Sequence, residues 1–225
     1  MKPNILLASC LASILFSCTK QETVIRKEQD GLHQAYHVTF DKTANSIAAT
    51  ATFRKGGAEG PAVTLDGTSA ILLNNVSHTF LNVVSGTYKW QLNGLSDARF
   101  DLIRKGRPTV SNTISQGEIG IVNFDGLPGT ISKSKGVEFA WAGTPVKTNQ
   151  EVSVSVVSGN RKIDRKQHSG RFRLTPVDLQ TFQKGHRIRV KLIKTGSVPL
   201  VQQDSRGGGT ISYSYTVERE VLVAE

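Results

Sequence analysis

Two stretches in the C-terminal half alternate cationic and apolar side chains, and these cations are the residues best placed to do chemistry. In each stretch the apolar residues predict a strand that faces a core, so the cations point away from it. If the two strands are neighbours in one sheet, like charges stand close together, at a cost that a polyanionic partner would relieve. The cations are Arg171, Arg173, Arg187, Arg189 and Lys191.

Further cations nearby extend the same hypothesis. They are Arg161, Lys162, Arg165 and Lys166 before the first row, and Arg206 in a glycine-rich segment. Together these residues predict a site for an acidic glycan, an anionic lipid headgroup or a nucleic acid. Nucleic acid is the least favoured, because the sequence has no helix-turn-helix, zinc-finger or aromatic-rich RNA-binding signature. The alternative is a solvated strand face that guards against aggregation, with its charge countered by Asp164, Asp178 or Glu218.

Motifs typical of enzymes are absent from the sequence. It contains no Gly-x-Ser-x-Gly and no His-Glu-x-x-His. His33 and His37 are four residues apart in a segment that approaches a strand, where this spacing makes a poor pair of metal ligands, and His78, His168 and His186 are isolated. We therefore predict a protein that is not an enzyme and has no metal or cofactor. An enzyme whose site forms only in three dimensions is the alternative.

The formal net charge of +10 is unevenly distributed along the chain. Residues 18–125 hold 11 Lys and Arg against 10 Asp and Glu, whereas residues 126–225 hold 16 against 8. This asymmetry predicts two units with different surfaces. The turn-forming run Asp125-Gly126-Leu127-Pro128-Gly129 is the best boundary between them.

Period-2 alternation, cut by Gly, Pro, Asn and Asp, predicts an all-β fold of two tandem β-sandwich domains, over residues 31–126 and 127–225. One helical turn is expected within 176–183. In order and spacing the second unit resembles an immunoglobulin-like module with Trp141 early in its core, without the cysteine pair of that family. A fold shared so widely implies no function. The strands are expected at 36–40, 47–53, 63–65, 70–73, 79–83, 88–92, 100–103, 109–114 and 118–124, then at 137–141, 152–156, 172–174, 188–192 and 211–217.

The N-terminus has the organisation of an export signal. Lys2 supplies a positive charge, residues 5–16 form an apolar run too short to span a bilayer, and Ser17 is the small residue before Cys18. The run Leu15-Phe16-Ser17-Cys18 resembles the lipobox of bacterial lipoproteins, in which the cysteine is acylated and the preceding peptide is removed. The resemblance implies a signal peptide over residues 1–17, a lipid on Cys18 and a tether over residues 18–30. Both cysteines, Cys10 and Cys18, lie in this region, so the folded part has no thiol for a disulfide.

These observations predict a non-catalytic binding module anchored in the bacterial cell envelope, in the outer membrane on its periplasmic face or on the cell surface. Its expected partners are the membrane, through Cys18, and an acidic glycan or anionic lipid, and its oligomeric state is left open. The alternative is a structural or adhesive subunit that assembles by strand exchange. Lipoprotein precursors with two tandem β-sandwich domains resemble the subunits of some anaerobe fimbriae, which exchange a strand between copies.

Overall fold

Strands fill most of the chain, as the alternation predicts, and the all-β sandwich fold is confirmed. The computed structural model describes residues 31–167, 170–203 and 207–225. Two short helices, α1 (Gln116–Ile119) and α2 (Pro176–Gln180), interrupt the strands. The strands are β1 (Leu32–Asp41), β2 (Ser46–Lys55), β3 (Ala62–Val63), β4 (Ser69–Leu73), β5 (Val76–Ser77), β6 (Phe80–Asn82), β7 (Thr87–Asn93), β8 (Ala98–Arg104), β9 (Val110–Ile114), β10 (Val122–Asp125), β11 (Thr130–Ser132), β12 (Val137–Gly143), β13 (Gln150–Ser158), β14 (Arg161–Gln167), β15 (Arg171–Leu174), β16 (Arg187–Pro199) and β17 (Gly209–Ala224).

The strands form one long sheet and two small ones. The long sheet has the order β14-β13-β16-β17-β1-β2-β7-β6, with β3 beside β2 and β11 beside β17. The first small sheet has the order β5-β4-β8-β9, and the second has the order β10-β12-β15. Alternate side chains of the long sheet face the small sheets and are buried. The other set forms a surface that we call the outer face.

Both small sheets cover the same side of the long sheet. Phe100 of the first stacks on Tyr36 of β1, with ring centroids 4.3 Å apart. Phe124 of the second lies against Arg219 of β17, whose guanidinium carbon is 5.5 Å from the ring centroid. Tyr36 is level with Ile211, and Ile211 and Arg219 are an even number of residues apart on β17, so all three point to one side. The buried apolar residues form one continuous cluster between the layers.

Strands from opposite ends of the chain meet in the middle of the long sheet. β1 runs parallel to β17, from the pair Gln34 and Gly209 to the pair Asp41 and Thr216. The long sheet is therefore continuous across the expected boundary at 125–129. The division into units over 31–126 and 127–225 stays a prediction about independent folding.

The strand expected over 118–124 begins only at Val122, because α1 precedes it. The backbone N–H of Glu118 donates to the Ser115 hydroxyl, and the backbone N–H of Ser115 donates to the Glu118 carboxylate. This capping box stabilises the single helical turn. The spacing Ser-x-x-Glu was the sequence signal for it.

The helical turn expected within 176–183 is present as α2. Thr175 and Asp178 form a second capping box, and Pro176 occupies the start of the helix, where its missing N–H costs nothing. β16 continues through Pro199, so the connection that contains the glycine-rich segment begins only after that residue and ends where β17 begins at Gly209. Within the ranges that the structure describes, no helix is long and apolar enough to cross a bilayer.

We predict that Gly209→Ala destabilises the junction of β1 and β17. Gly209 has a φ of 154°, and a Cβ there would lie 2.1 Å from the Gln34 carbonyl oxygen and 2.6 Å from a methyl of Leu200. The substitution should lower the free energy of unfolding by more than about 2 kcal/mol, measured by urea denaturation. The control is Gly126→Ala, where φ is 74° but nothing lies within 4 Å of the added Cβ. It should cost about 1 kcal/mol. Equal losses in both variants would contradict the close packing of this junction.

Candidate functional site

Five of the predicted cations lie on the outer face of the long sheet. The residues of β16 that alternate with Arg187, Arg189 and Lys191 are fully buried, so these three point outward. Lys162 and Lys166 of β14 share this side, because they are in register with the outward residues of β13. The alternation therefore predicted the orientation of the β16 cations correctly.

The remaining candidates lie elsewhere. Arg171 and Arg173 are on β15 in the second small sheet, so the two cationic rows are not neighbours in one sheet. Arg161 and Arg165 alternate to the inner side of β14. Arg206 lies outside the described residues. The condition for crowding like charges between the two rows is not met.

Most of the candidate cations have a carboxylate partner within 4.0 Å. Arg165 pairs with Asp178 of α2, and two of the outer-face cations pair with Asp164 and Glu218. All three acids were expected as counter-charges, and this role is confirmed. The separations are 2.9 Å for Lys162 and Asp164, 3.1 Å for Lys166 and Glu151, 3.1 Å for Arg171 and Glu138, 3.8 Å for Arg187 and Glu220, 3.9 Å for Arg189 and Glu218, and 4.0 Å for Lys191 and Asp41.

The tighter pairs also affect the titration of their acids. A hydrogen bond from Lys162 is the largest influence on Asp164 and lowers the pKa of its carboxyl. Burial acts to raise the pKa of Asp178, but hydrogen bonds from Thr175 and the charge of Arg165 outweigh it, so this pKa is also lowered. Both acids therefore stay ionised under ordinary conditions and keep their cations engaged.

The five candidate cations on the outer face are matched in number by carboxylates. These are Asp41, Glu151, Asp164, Glu218 and Glu220. The pairs of Arg187, Arg189 and Lys191 are separated by 3.8 to 4.0 Å, which is longer than a hydrogen bond. An exposed ion pair of this kind stabilises a protein by about 0 to 1 kcal/mol, so another anion can replace the carboxylate at little cost.

An open depression of about 450 Å³ lies in the outer face, and the predicted cations Lys162, Arg189 and Lys191 line it. Thr216 lies in its floor and is 3% exposed. In the described part of the chain its Oγ1 has no hydrogen-bond partner. The other lining residues are Thr39, Ser155, Ser214, Glu218, Val157 and Ile193.

This lining combines three kinds of chemistry in one place. The cations can donate to a sulfate or carboxylate, the hydroxyls can exchange hydrogen bonds with a polyol, and the two aliphatic side chains offer a small apolar surface. A sugar residue that carries one anionic group has all three properties. A ligand that reaches the floor can also supply the partner that Thr216 lacks.

The histidines of β1 lie on the outer face beside this region. His37 Nδ1 is 2.9 Å from the Ser212 hydroxyl, which donates to the carbonyl oxygen of Tyr36 at 3.2 Å. Burial lowers the pKa of His37. No group of three or more His, Cys, Asp or Glu residues in the described ranges is placed to hold a metal ion. His168 falls outside those ranges.

No protein-family model matches this chain, and no curated protein matches it. Among solved structures, it is similar to a chain from work on the host cell surface retention of a 1.5-MDa bacterial ice-binding adhesin, with 13% identity and a TM-score of 0.26 over 88% of this chain and 66% of that one. It is also similar to fibronectin(III)-like modules of CbhA from Clostridium thermocellum, with 8% identity and a TM-score of 0.25 over 83% of this chain and 90% of that one. This chain thus spans just under two thirds of the adhesin chain. Neither likeness is close enough to assign a family or a ligand.

One cation that sequence reasoning missed is buried. Lys194 continues the inward series of β16 and is 0% exposed. Its Nζ donates to the carbonyl oxygen of Thr144 at 3.2 Å. Burial, and to a lesser extent the charge of Lys147, lowers the pKa of Lys194 from its ordinary value of 10.5. The sequence did contain a signal for this. The alternation that places Ile188, Val190 and Leu192 inward also places residue 194 inward.

We predict that Lys194→Met stabilises the protein, because it removes a charge that burial disfavours. The gain should be about 1 kcal/mol or more near neutral pH. Since the folded pKa of Lys194 lies below 10.5, the unfolded chain binds more protons between the two values. The stability of the native protein should therefore rise with pH toward about pH 10 relative to the variant.

This difference is measured by urea denaturation of both proteins between about pH 8 and pH 10. Both proteins contain the same tyrosines, so the contribution of tyrosine titration cancels in the comparison. Lys191→Met on the outer face of the same strand is the matched control and should leave the pH dependence unchanged. A variant whose free energy of unfolding runs parallel to that of the native protein would show that Lys194 is not penalised by burial.

Proposed function

We propose that this chain is a lipid-anchored, non-catalytic binding protein of the bacterial cell envelope that holds an acidic glycan on the outer face of its long sheet. The depression lined by Lys162, Arg189 and Lys191 is the observation that carries the proposal. Its lining combines cations with hydroxyls. One of these hydroxyls, Thr216 Oγ1, is buried and has no hydrogen-bond partner among the described residues.

The carboxylates beside Arg189 and Lys191 occupy the positions that the anionic groups of the ligand take when it binds. Glu218 and Asp41 neutralise these cations in the free protein, but at 3.9 and 4.0 Å they do not hydrogen-bond to them. A sulfate or uronate oxygen that approaches within hydrogen-bond distance makes a shorter, charge-assisted contact. The guanidinium of Arg189 can hold such a group with two parallel N–H donors.

The hydroxyls around the cations favour a glycan over a simple polyphosphate. Ser155, Ser214 and Thr216 come from β13 and β17 and line the same depression. A sugar presents hydroxyl groups next to its anionic group, so it can use both sets of protein groups at once. The apolar carbons of a sugar ring can rest on Val157 and Ile193.

Assembly by strand exchange is not favoured at the β14 edge of the long sheet. β14 forms one edge of the long sheet and carries Arg161, Lys162, Arg165 and Lys166. Dense charge on an edge strand opposes the addition of a further strand. We therefore propose ligand binding rather than polymerisation through this edge.

We predict that mutation of two cations in the depression weakens binding to a sulfated polymer. Arg189→Gln with Lys191→Gln should lower the affinity for dextran sulfate at least about tenfold, because each cation contributes a charge-assisted hydrogen bond. Stability should be nearly unchanged, since both residues are exposed enough to be solvated. Binding is measured by titration at low salt, and it should fall steeply toward physiological salt, where the screening length is about 8 Å.

The matched control is Arg171→Gln with Arg173→Gln, which removes the same charge from a different sheet. This variant should bind dextran sulfate like the native protein, and neutral dextran should bind to neither. Equal losses in the two double variants would show that net charge, and not the depression, governs binding. Absence of binding to dextran sulfate at low salt would refute the proposal.

The anchor rests on the lipobox-like run before Cys18, which lies outside the described residues. We predict that Cys18→Ala releases the protein from the membrane fraction or leaves it as an unprocessed precursor, because the acylated thiol is lost. Cell fractionation with mass measurement checks this. Cys10→Ala removes the other cysteine of the sequence and should leave anchoring intact. A Cys18→Ala protein that is still cleaved after Ser17 and still bound to the membrane would contradict the anchor.

A further inference from the structure

Exposed aliphatic side chains gather at the end of the sandwich where the described chain begins. Val83 and Val84 are 57% and 74% exposed in the turn between β6 and β7, and Val201 is 87% exposed just after β16. Turn tips are usually polar, because they project into water. Three valines at the tips of two separate loops therefore point to a surface that is not always in water.

Strand register places the turn of Val83 and Val84 at this end. Leu32, the first residue of β1, is paired with Lys55 at the end of β2. Close to that pair, β2 is joined to Thr87 of β7, where the β6–β7 turn closes. The turn thus lies at the same end of the long sheet as the start of β1.

The connection after β16 lies at this end as well. Pro199 is paired with Thr210, one residue beyond the pair of Gly209 and Gln34 near the start of β1. Val201 follows directly. The connection then contacts the first small sheet, where the backbone N–H of Ser111 donates to the Gln202 side chain at 2.8 Å.

The β8–β9 turn lies at the same end, because β9, which follows it, contacts this connection. Asn112 Nδ2 donates to the carbonyl oxygen of Gln202 at 2.8 Å, which fixes β9 against the connection. The turn that precedes β9 carries Lys105 and Arg107, both exposed. We call the turns 55–61, 83–86 and 105–109, together with residues 200–203, the Leu32 end.

Cations outnumber carboxylates around the valines. Among the described residues, Arg54, Lys55, Lys105 and Arg107 lie at or beside the Leu32 end, and the acids in these turns and before β4 are Glu59 and Asp66. Hydrogen bonds from Thr68 lower the pKa of Asp66 and occupy its carboxylate. Aliphatic tips within a cationic rim are the composition of a surface that binds anionic lipid headgroups.

We infer that the Leu32 end docks on the anionic surface of the membrane that holds the lipid anchor, with Val83, Val84 and Val201 entering the interface. This inference rests on the proposed acylation of Cys18. Residues 18–30 separate that cysteine from the Leu32 end, a length of chain that can span at most about 45 Å. Such a tether alone does not orient the sandwich. It is joined to this end, so this end reaches the lipid with the least extension of the tether.

The test uses the full chain, purified from membranes and reconstituted into vesicles of phosphatidylglycerol and phosphatidylethanolamine. An environment-sensitive fluorophore is attached through Val84→Cys, or through Val177→Cys as the matched control. Val177 is 72% exposed, and it lies in α2, near the opposite end of the long sheet. The probe at position 84 should shift to shorter wavelength and become protected from a water-soluble quencher, and the probe at 177 should do neither.

Charge variants test the role of the rim. Lys105→Gln with Arg107→Gln should lower the protected fraction at position 84 at least about threefold in these vesicles, since each cation near an anionic surface favours docking. Lys133→Gln with Lys135→Gln, in the turn beside the C-terminal end of β17, should have no effect. Vesicles of phosphatidylcholine should give less protection than the anionic vesicles.

Failure of the docking can be told apart from failure of the anchor. If the purified chain carries the acyl mass but the probe at position 84 stays accessible, docking is refuted while the anchor stands. Equal protection at 84 and 177 would also refute it. If the chain carries no acyl mass, the anchor proposal fails. The labelled chain, with Cys10 and Cys18 replaced by alanine, is then mixed with preformed anionic vesicles. Protection at position 84 without protection at position 177 supports the docking surface.

Discussion

Strand β17 is paired on both sides along most of its length, and this double pairing organises the molecule. β16 is antiparallel to it over thirteen residue pairs, while β1 and then β11 occupy its other side. Because side chains alternate with a period of two, a slip of one residue would turn Tyr215 and Val217 outward and Thr216 and Glu218 into the core. The depression depends on this register, since its lining comes from β1, β13, β14, β16 and β17. The same strand aligns the two small sheets on one side.

The features that depend on neighbouring residues could be predicted from the sequence. Alternation within β16 was enough to place Arg189 outward, because a strand has only two sides. The same rule, continued to Lys194, would have placed that cation in the core. Sheet membership is different, because it is decided by pairing between distant segments. Nothing local distinguishes the edge of the second small sheet, where Arg173 lies, from the centre of the long sheet, where Arg189 lies.

The charge count of the C-terminal half predicted a basic surface, whereas the five candidate cations on the outer face are paired. Each of the five has a carboxylate within 4.0 Å. Composition reports how many charges a segment holds but not which side of a strand they occupy. The proposed affinity of the depression for an anion therefore rests on placement, because Arg189 and Lys191 are held by long ion pairs that a closer anion can replace. In this proposal the buried Thr216 hydroxyl, which has no hydrogen-bond partner among the described residues, adds selectivity that net charge cannot provide.

The parallel pairing of β1 with β17 also sets an order of events in the life of the chain. His37 and Ser212, which touch across this pair, are 175 residues apart in sequence. Contacts of such separation form slowly, because a long loop must close first. β1 is synthesised early, and β2 can cover one of its edges at once. Its other edge has no strand until β17 is made, and in that interval it is open to pairing with another molecule.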